Sequence, residues 1–246
     1  TALLALNVSA EVLNAFLDMD ESLSQTGIMV NATNNRMADA IIQHAEAYPK
    51  FEAFKIKTES LGKITEPFYR KVEKLKADLI EKSGGLDEEG KPVGIRDKDI
   101  TTRIFVKGGV GEQLKKDFLS TRKDLFSLIN EPKDRDQLER SLPTNIGIIP
   151  ENSDKETWED YAFGHMPVAA VLPLLSKTQN DVQTVETAIL NRFFAKMKTP
   201  VGSWQTSINS VTIDVEEYFY KPLGANYTMY NPYHKISSKK IVPTEV

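Results

Sequence analysis

Cysteine is absent from this 246-residue sequence, and with it go disulfides, thiolate zinc sites and thiol nucleophiles. The absence fits the cytosol or any compartment where disulfides are not needed. No charge of one sign dominates. The 31 Lys and Arg against 35 Asp and Glu leave a formal net charge of −4, without the basic face that a nucleic-acid partner requires. Histidine is scarce: His44, His165 and His234 lie far apart, and none has the Glu three residues before it that a di-iron helical bundle needs. No metal or other cofactor is expected. Beyond its first residues the chain has no run approaching eighteen apolar positions, so the remainder is not a membrane domain. What is present, 40% hydrophobic and 27% charged residues, belongs to a folded body with a core, arranged as one elongated domain or two compact ones.

The first sixteen residues, TALLALNVSAEVLNAF, are apolar or small up to Leu6 and amphipathic from Asn7 onwards. Their apolar part is about half of the ~20 residues that cross a bilayer, and residue 1 reads as a cut edge. Two readings compete. Either Thr1 to Ala10 is the outer half of a membrane helix, or Val8-Ser9-Ala10 is the small-residue cleavage site of a signal peptide. A helical phase that continues through Ala10 favours the first.

From there the spacing predicts a bundle. Val12, Phe16, Met19, Leu23, Thr26 and Val30 step by four and three, a heptad-like seam. The pattern resumes after Gly27 and predicts a helix from residue 2 to Tyr48, before Pro49. Phe51, Phe54, Thr58, Leu61, Thr65, Phe68, Val72, Leu75 and Leu79 then hold the same alternation across Pro67, which predicts a kinked but continuous helix with Glu59/Lys63, Glu66/Arg70 and Asp78/Lys82 pairs outside. Ser83-Gly84-Gly85 stops it. Thr101 to Val106 reads as a short strand or extended arm. A third helix carries Leu114, Phe118, Thr121, Leu125 and Leu128, and Leu142 to Ile149 reads as an extended crossover. Ser153 with Glu156 makes a capping-box start for a short helix through Trp158 and Tyr161. Pro167 opens the fourth main helix, with Val168, Val171, Leu175, Val182, Ile189 and Phe193 on one side and Pro173 inside. After residue 203 the alternation of Trp204, Ile208, Val211, Ile213 and Val215 turns to β.

No reaction centre emerges. Ile104 to Gly111, a glycine turn before a helix, lacks both the Lys-Ser/Thr ending of a P-loop and the glycine spacing of a dinucleotide fingerprint, so it reads as a plain loop. Asp18, Asp20 and Glu21 read as a solvated helix face. The fold expected is mainly α: an elongated four-helix bundle with long kinked helices and small β additions, the N-terminal end of a truncated transmembrane helix at its start. A non-enzymatic role, binding or mechanical, is what remains.

Two stretches carry a resemblance. Leu3 to Phe16, LLALNVSAEVLNAF, resembles the end of the single membrane helix and the start of the periplasmic region in the GldM/PorM family. Trp158-Glu159-Asp160-Tyr161 with Phe163, Pro167-Val168-Ala169-Ala170, Leu174-Leu175 and Gln179-Asn180-Asp181-Val182 with Glu186 resembles the fourth-helix segment of its first periplasmic domain. With the helix order between them, the resemblance covers about Thr1 to Lys198. The family's charged inner membrane half and its distal immunoglobulin-like β domains have no counterpart here.

The resemblance implies a homodimeric, single-pass inner-membrane protein of the type IX secretion and gliding apparatus. Its membrane helix sits in a ring of the GldL/PorL type driven by the proton motive force, and its periplasmic bulk carries motion to outer-membrane GldK/GldN-type components through distal domains. On this reading residues 1–10 are the outer half of a transmembrane helix, 11–235 a periplasmic helical-bundle domain with its β-rich tail from about 203, and 236–246 the start of a following β domain. Leu3, Leu4, Leu6 and Asn7 would form the membrane exit and ring contact. The bundle or dimer seam would comprise Val12, Phe16, Met19, Leu23, Phe51, Phe54, Leu61, Phe68, Trp158, Val168, Leu175 and Val182. The rival from another class is a ligand-sensing periplasmic bundle of a membrane receptor, which requires a pocket between helices with converging polar groups.

Overall fold

The computed structural model describes residues 8–197. Four long helices form a bundle: α1 (Ala10–Ala47), α2 (Glu52–Lys82), α4 (Val110–Ser127) and α7 (Val168–Lys196). At 1.5 Å per residue the 38 residues of α1 span about 57 Å, so the bundle is elongated, as the sequence predicts. The shorter pieces are α3 (Asp99–Thr101), which runs on as a π-helix over Thr102–Lys107, then α5 (Pro132–Ser141) and α6 (Trp158–Phe163). A 3-10 turn over Pro49–Phe51 joins α1 to α2. The central helix is α7, which packs on α1, α2 and α4. Its expected stripe Val168, Val171, Leu175, Val182, Ile189 and Phe193 is buried throughout, the pattern of a helix with neighbours on several sides.

The long helices sit where the periodicity puts them, and both internal prolines are carried without a break: α2 continues through Pro67 and α7 through Pro173. In α2 the buried set includes Thr58, Leu61, Thr65, Phe68, Val72 and Leu79. Phe68 meets Phe118 of α4 edge-on with ring centroids 6.1 Å apart. Of the three expected surface pairs on α2, Glu66–Arg70 forms, at 2.7 Å. The helix ends at Ser83, followed by Gly84 and Gly85 with φ of 111° and 78°, a left-handed exit that glycine allows without steric cost.

Several expectations are corrected. The first helix does not run unbroken through Ala10: Ser9 is extended (φ −65°, ψ 159°) and its hydroxyl accepts the Val12 N–H, so it caps α1. Residues 1–7 lie outside the described residues. Thr101 to Val106 is helical, not a strand, because tertiary burial overrides the β-branched composition. Asp97 Oδ1 accepts the N–H groups of Asp99 and Ile100, and Phe105, fully buried, stacks on Phe163 of α6 at 4.5 Å. The short helix α6 starts at Trp158 with Thr157 as its cap, not at Ser153, whose hydroxyl instead accepts the Lys155 N–H. Helix α5 was not anticipated. It buries none of its own residues and therefore has no apolar stripe to read. Of the small β additions, the described residues contain one isolated bridge, Leu86 to Pro92; the β-patterned segment from about 203 lies outside them.

Candidate functional site: a polar layer inside the bundle

Two helices of this bundle have heptad rows that are apolar at the ends and polar in the middle. On α1 the inward row is Leu13, Asp20, Gly27, Asn34 and Ile41; on α7 it is Ala169, Ser176, Gln183 and Leu190. The two polar middles face each other, and α2 closes the third side with Thr65, Tyr69 and Lys76. Polar groups inside a bundle must find partners or cost stability, and here nearly every one does, in three linked clusters.

In the first, the ammonium of Lys76 donates to Ser176 Oγ at 2.6 Å, Ser24 Oγ at 3.0 Å and Asp20 Oδ1 at 3.1 Å. Ser176 Oγ in turn lies 2.6 Å from the same carboxylate oxygen. Asp20 is thus a half-buried tie between α1, α2 and α7 and not a member of a solvated face. The second cluster is a clamp. Asn180 Nδ2 donates to the Leu23 carbonyl at 2.9 Å and Gln183 Nε2 to the Gly27 carbonyl at 3.1 Å, so two side-chain amides one turn apart grip successive turns of α1. The grip needs a bare Cα: a Cβ on Gly27 would stand 2.7 Å from Asn180 Oδ1 and 3.3 Å from Gln183 Oε1.

The third cluster surrounds Glu186. Its carboxylate accepts Tyr69 OH at 2.6 Å and Asn34 Nδ2 at 3.2 Å on one oxygen, and Thr65 Oγ1 at 3.3 Å on the other. Thr187 Oγ1 supports Asn34 Oδ1 from below at 2.7 Å. One carboxylate therefore joins three helices through neutral donors. Burial raises its pKa above the ordinary carboxylate value, and the charge of Glu66 pushes the same way, against the three hydrogen bonds that favour ionisation. Burial, followed by the charge of Glu186, drives the Tyr69 phenol upward as well, so Tyr69 is a permanent donor. Such a layer makes register specific: sliding α1 by one turn on α7 would part Asp20 from Ser176 and Asn34 from Glu186 and Thr187.

The model of the GldM N-terminal domain matches residues 11–196. This chain belongs to that family. No curated protein matches the sequence. GldM proteins are components of the gliding-motility and type IX secretion machinery, structural motor parts and not a known class of enzyme. As a GldM domain, the bundle holds in its fold the Trp158 to Glu186 stretch on which the resemblance rests, with Trp158, Phe163, Val168, Leu175, Val182 and Glu186 all buried.

The residues expected along the seam separate into two groups. Phe51, Leu61, Phe68, Trp158, Val168, Leu175 and Val182 lie in the core of this chain, and Phe54 is half-buried with its ring 5.6 Å from that of Phe193. Those on α1 face elsewhere. Val12 is 45% and Met19 51% exposed, with Phe16 and Leu23 half-buried beside them, because the inward row runs one position later. Val12 and Phe16 edge an open apolar groove of about 610 Å³, shared with Trp158, Tyr161, Met166 and Leu174. Leu3, Leu4, Leu6 and Asn7 lie outside the described residues. Among the described residues no helix is long and apolar enough to cross a membrane. The polar layer itself was missed from sequence. Its signal was the seven-residue repeat from Leu13 to Ile41, obscured because its middle members are Asp, Gly and Asn.

Proposed function

We propose that this chain is the membrane-proximal periplasmic shaft of an inner-membrane motor driven by the proton motive force, passing motion from a GldL/PorL-type ring towards GldK/GldN-type outer-membrane components. Membership of the GldM family supports the machine; the observation that carries the mechanical role is the polar layer. A part that transmits force along its axis has to resist sliding between helices. A bundle held only by greasy contacts resists it less well than one whose misregister leaves Glu186, Asn34, Gln183 and Lys76 unpaired, each at roughly 1–3 kcal/mol.

The shaft is proposed to work as a homodimer, with the outward α1 face of Val12, Phe16, Met19 and Leu23 and the adjoining apolar groove as the surface that meets the second copy. Val12 and Met19 are spaced by one heptad and exposed, which suits a helical seam. The test is to purify the full-length protein in detergent with its genomic neighbours and weigh the complex, using wild type and Val12→Asp/Met19→Asp. Two copies of this chain in a ring of a small membrane protein are expected for wild type, with loss of the pairing and of gliding or secretion in the double variant. A monomer from wild type, or full pairing and motility in the variant, overturns the proposal. Because both positions are exposed, the variant's own bundle should keep its melting temperature. A second reading, a ligand-sensing bundle, is favoured by one specific feature: a cleft with converging polar groups does lie between the helices.

A further inference from the structure

Around Gly27 the bundle is not filled. Protein interiors are close-packed and leave few voids larger than a water molecule. Here α1 and α7 close on each other, while α2 stands off and leaves an open cleft of about 520 Å³. Ser24, Gly27 and Asn31 form one wall, Glu66, Tyr69, Arg70 and Glu73 the second, and Ser176, Asn180 and Gln183 the third.

The chemistry of this cleft is lopsided. Gln183 is 2% exposed, and its Oε1 accepts no hydrogen bond while its Nε2 is committed to Gly27. Asn180 likewise commits its Nδ2 to Leu23 and leaves its Oδ1 against Gly27. Of the donors at hand, Tyr69 OH is used on Glu186, the Lys76 ammonium on Asp20, Ser24 and Ser176, and Arg70 Nε on Glu66, while the exposed amide of Asn31 and the half-buried amide of Gln179 also line the cleft. Glu73, one heptad from Glu66 on the same wall, has no ion-pair partner among the described residues. The cleft thus holds two carboxylates against the one guanidinium of Arg70, which leaves Glu73 uncompensated, and a buried amide oxygen, Gln183 Oε1, that accepts no hydrogen bond. A buried amide oxygen without a partner is the feature that polar satisfaction in native proteins selects against.

We infer that this cleft binds a primary ammonium or guanidinium group, which enters beside Glu73 and donates towards Gln183 and Asn180. A cation with several N–H donors answers both features at once: charge-assisted hydrogen bonds are the strong ones, and the unpaired Glu73 carboxylate would draw the cation in. Two sources carry this chemistry, a free polyamine or the side chain of a docking protein. The inference rests on the cleft and not on the motor reading.

The test is calorimetric titration of the purified 246-residue chain with spermidine and, separately, with ethylguanidinium at physiological salt. Saturable binding with one site per chain is expected. It should weaken at least tenfold in Glu73→Gln and in Gln183→Met, and stay unchanged in Glu89→Gln, an exposed carboxylate paired with Lys91 elsewhere on the chain. Tighter binding of spermidine would identify a free polyamine, and tighter binding of ethylguanidinium an arginine side chain of a partner. Absence of saturable binding for both probes overturns the inference, and so does equal affinity in wild type and Glu73→Gln. Glu73 is exposed, so its variant keeps the fold even if Gln183→Met does not.

Discussion

Gly27→Ala and Gly62→Ala make the same chemical change inside two long helices, and the bundle predicts different outcomes. In isolation each should stabilise its helix by about 0.5–1 kcal/mol, since alanine has less backbone freedom to lose than glycine. At Gly62, on the exposed side of α2, an added Cβ meets no heavy atom within 4 Å, so the whole gain should appear. At Gly27 the same Cβ lies 2.7 Å from Asn180 Oδ1 and 3.3 Å from Gln183 Oε1. If Asn180 turns aside, it gives up the 2.9 Å bond to the Leu23 carbonyl, worth about 0.5–1.5 kcal/mol. If the helices part instead, overpacking costs about 1–3 kcal/mol. Gly27→Ala should therefore be about 1–3 kcal/mol less favourable than Gly62→Ala. Urea unfolding of the two variants and wild type, at constant m, measures this directly. Asn180→Ala, which empties the space, should recover part of the difference in a double-mutant cycle. Equal stabilisation by both substitutions would refute the clamp and the close approach of α1 to α7.

Glu186 gives a prediction whose sign is unusual for a carboxylate. Its pKa is raised by burial, so above about 4.5, the ordinary value, the folded chain keeps a proton that the unfolded chain has released. Its contribution to stability therefore falls as pH rises through that window. The isosteric Glu186→Gln still accepts the Tyr69 hydroxyl, and its unfolding free energy relative to wild type should improve from pH 4.5 upward; a gap that stays flat or narrows would count against this. Lys76→Ala strands the Asp20 carboxylate among Ser24 and Ser176 and should cost about 1–3 kcal/mol, most of which Asp20→Asn should restore when the two are combined. Phe105→Ala removes a ring at the contact between the π-helix and α6 and should cost about 3–5 kcal/mol, whereas the same truncation at an extended arm would be nearly silent in thermal melts.

The sequence by itself determined the number and order of the long helices and, apart from the start of α1 at Ala10, where they begin and stop, because heptad spacing survives whatever else a helix does, and because Pro49, Gly84-Gly85 and Pro167 are backbone constraints that act locally. It also determined the apolar side of α7, where every expected residue is buried. Tertiary structure decided the rest. The inward face of α1 is one residue away from its most apolar row, since a helix can bury Asp20, Gly27 and Asn34 when α2 and α7 supply Lys76, Gln183 and Glu186. No periodicity of apolar residues can report a partner one hundred and fifty residues away. The turn of Thr101 to Val106 from apparent strand to helix has the same origin: Phe105 finds Phe163, and the energy of that burial exceeds the local preference of its neighbours. Polar pairing and aromatic packing are properties of two segments at once, so they become visible only when the chain has brought those segments together.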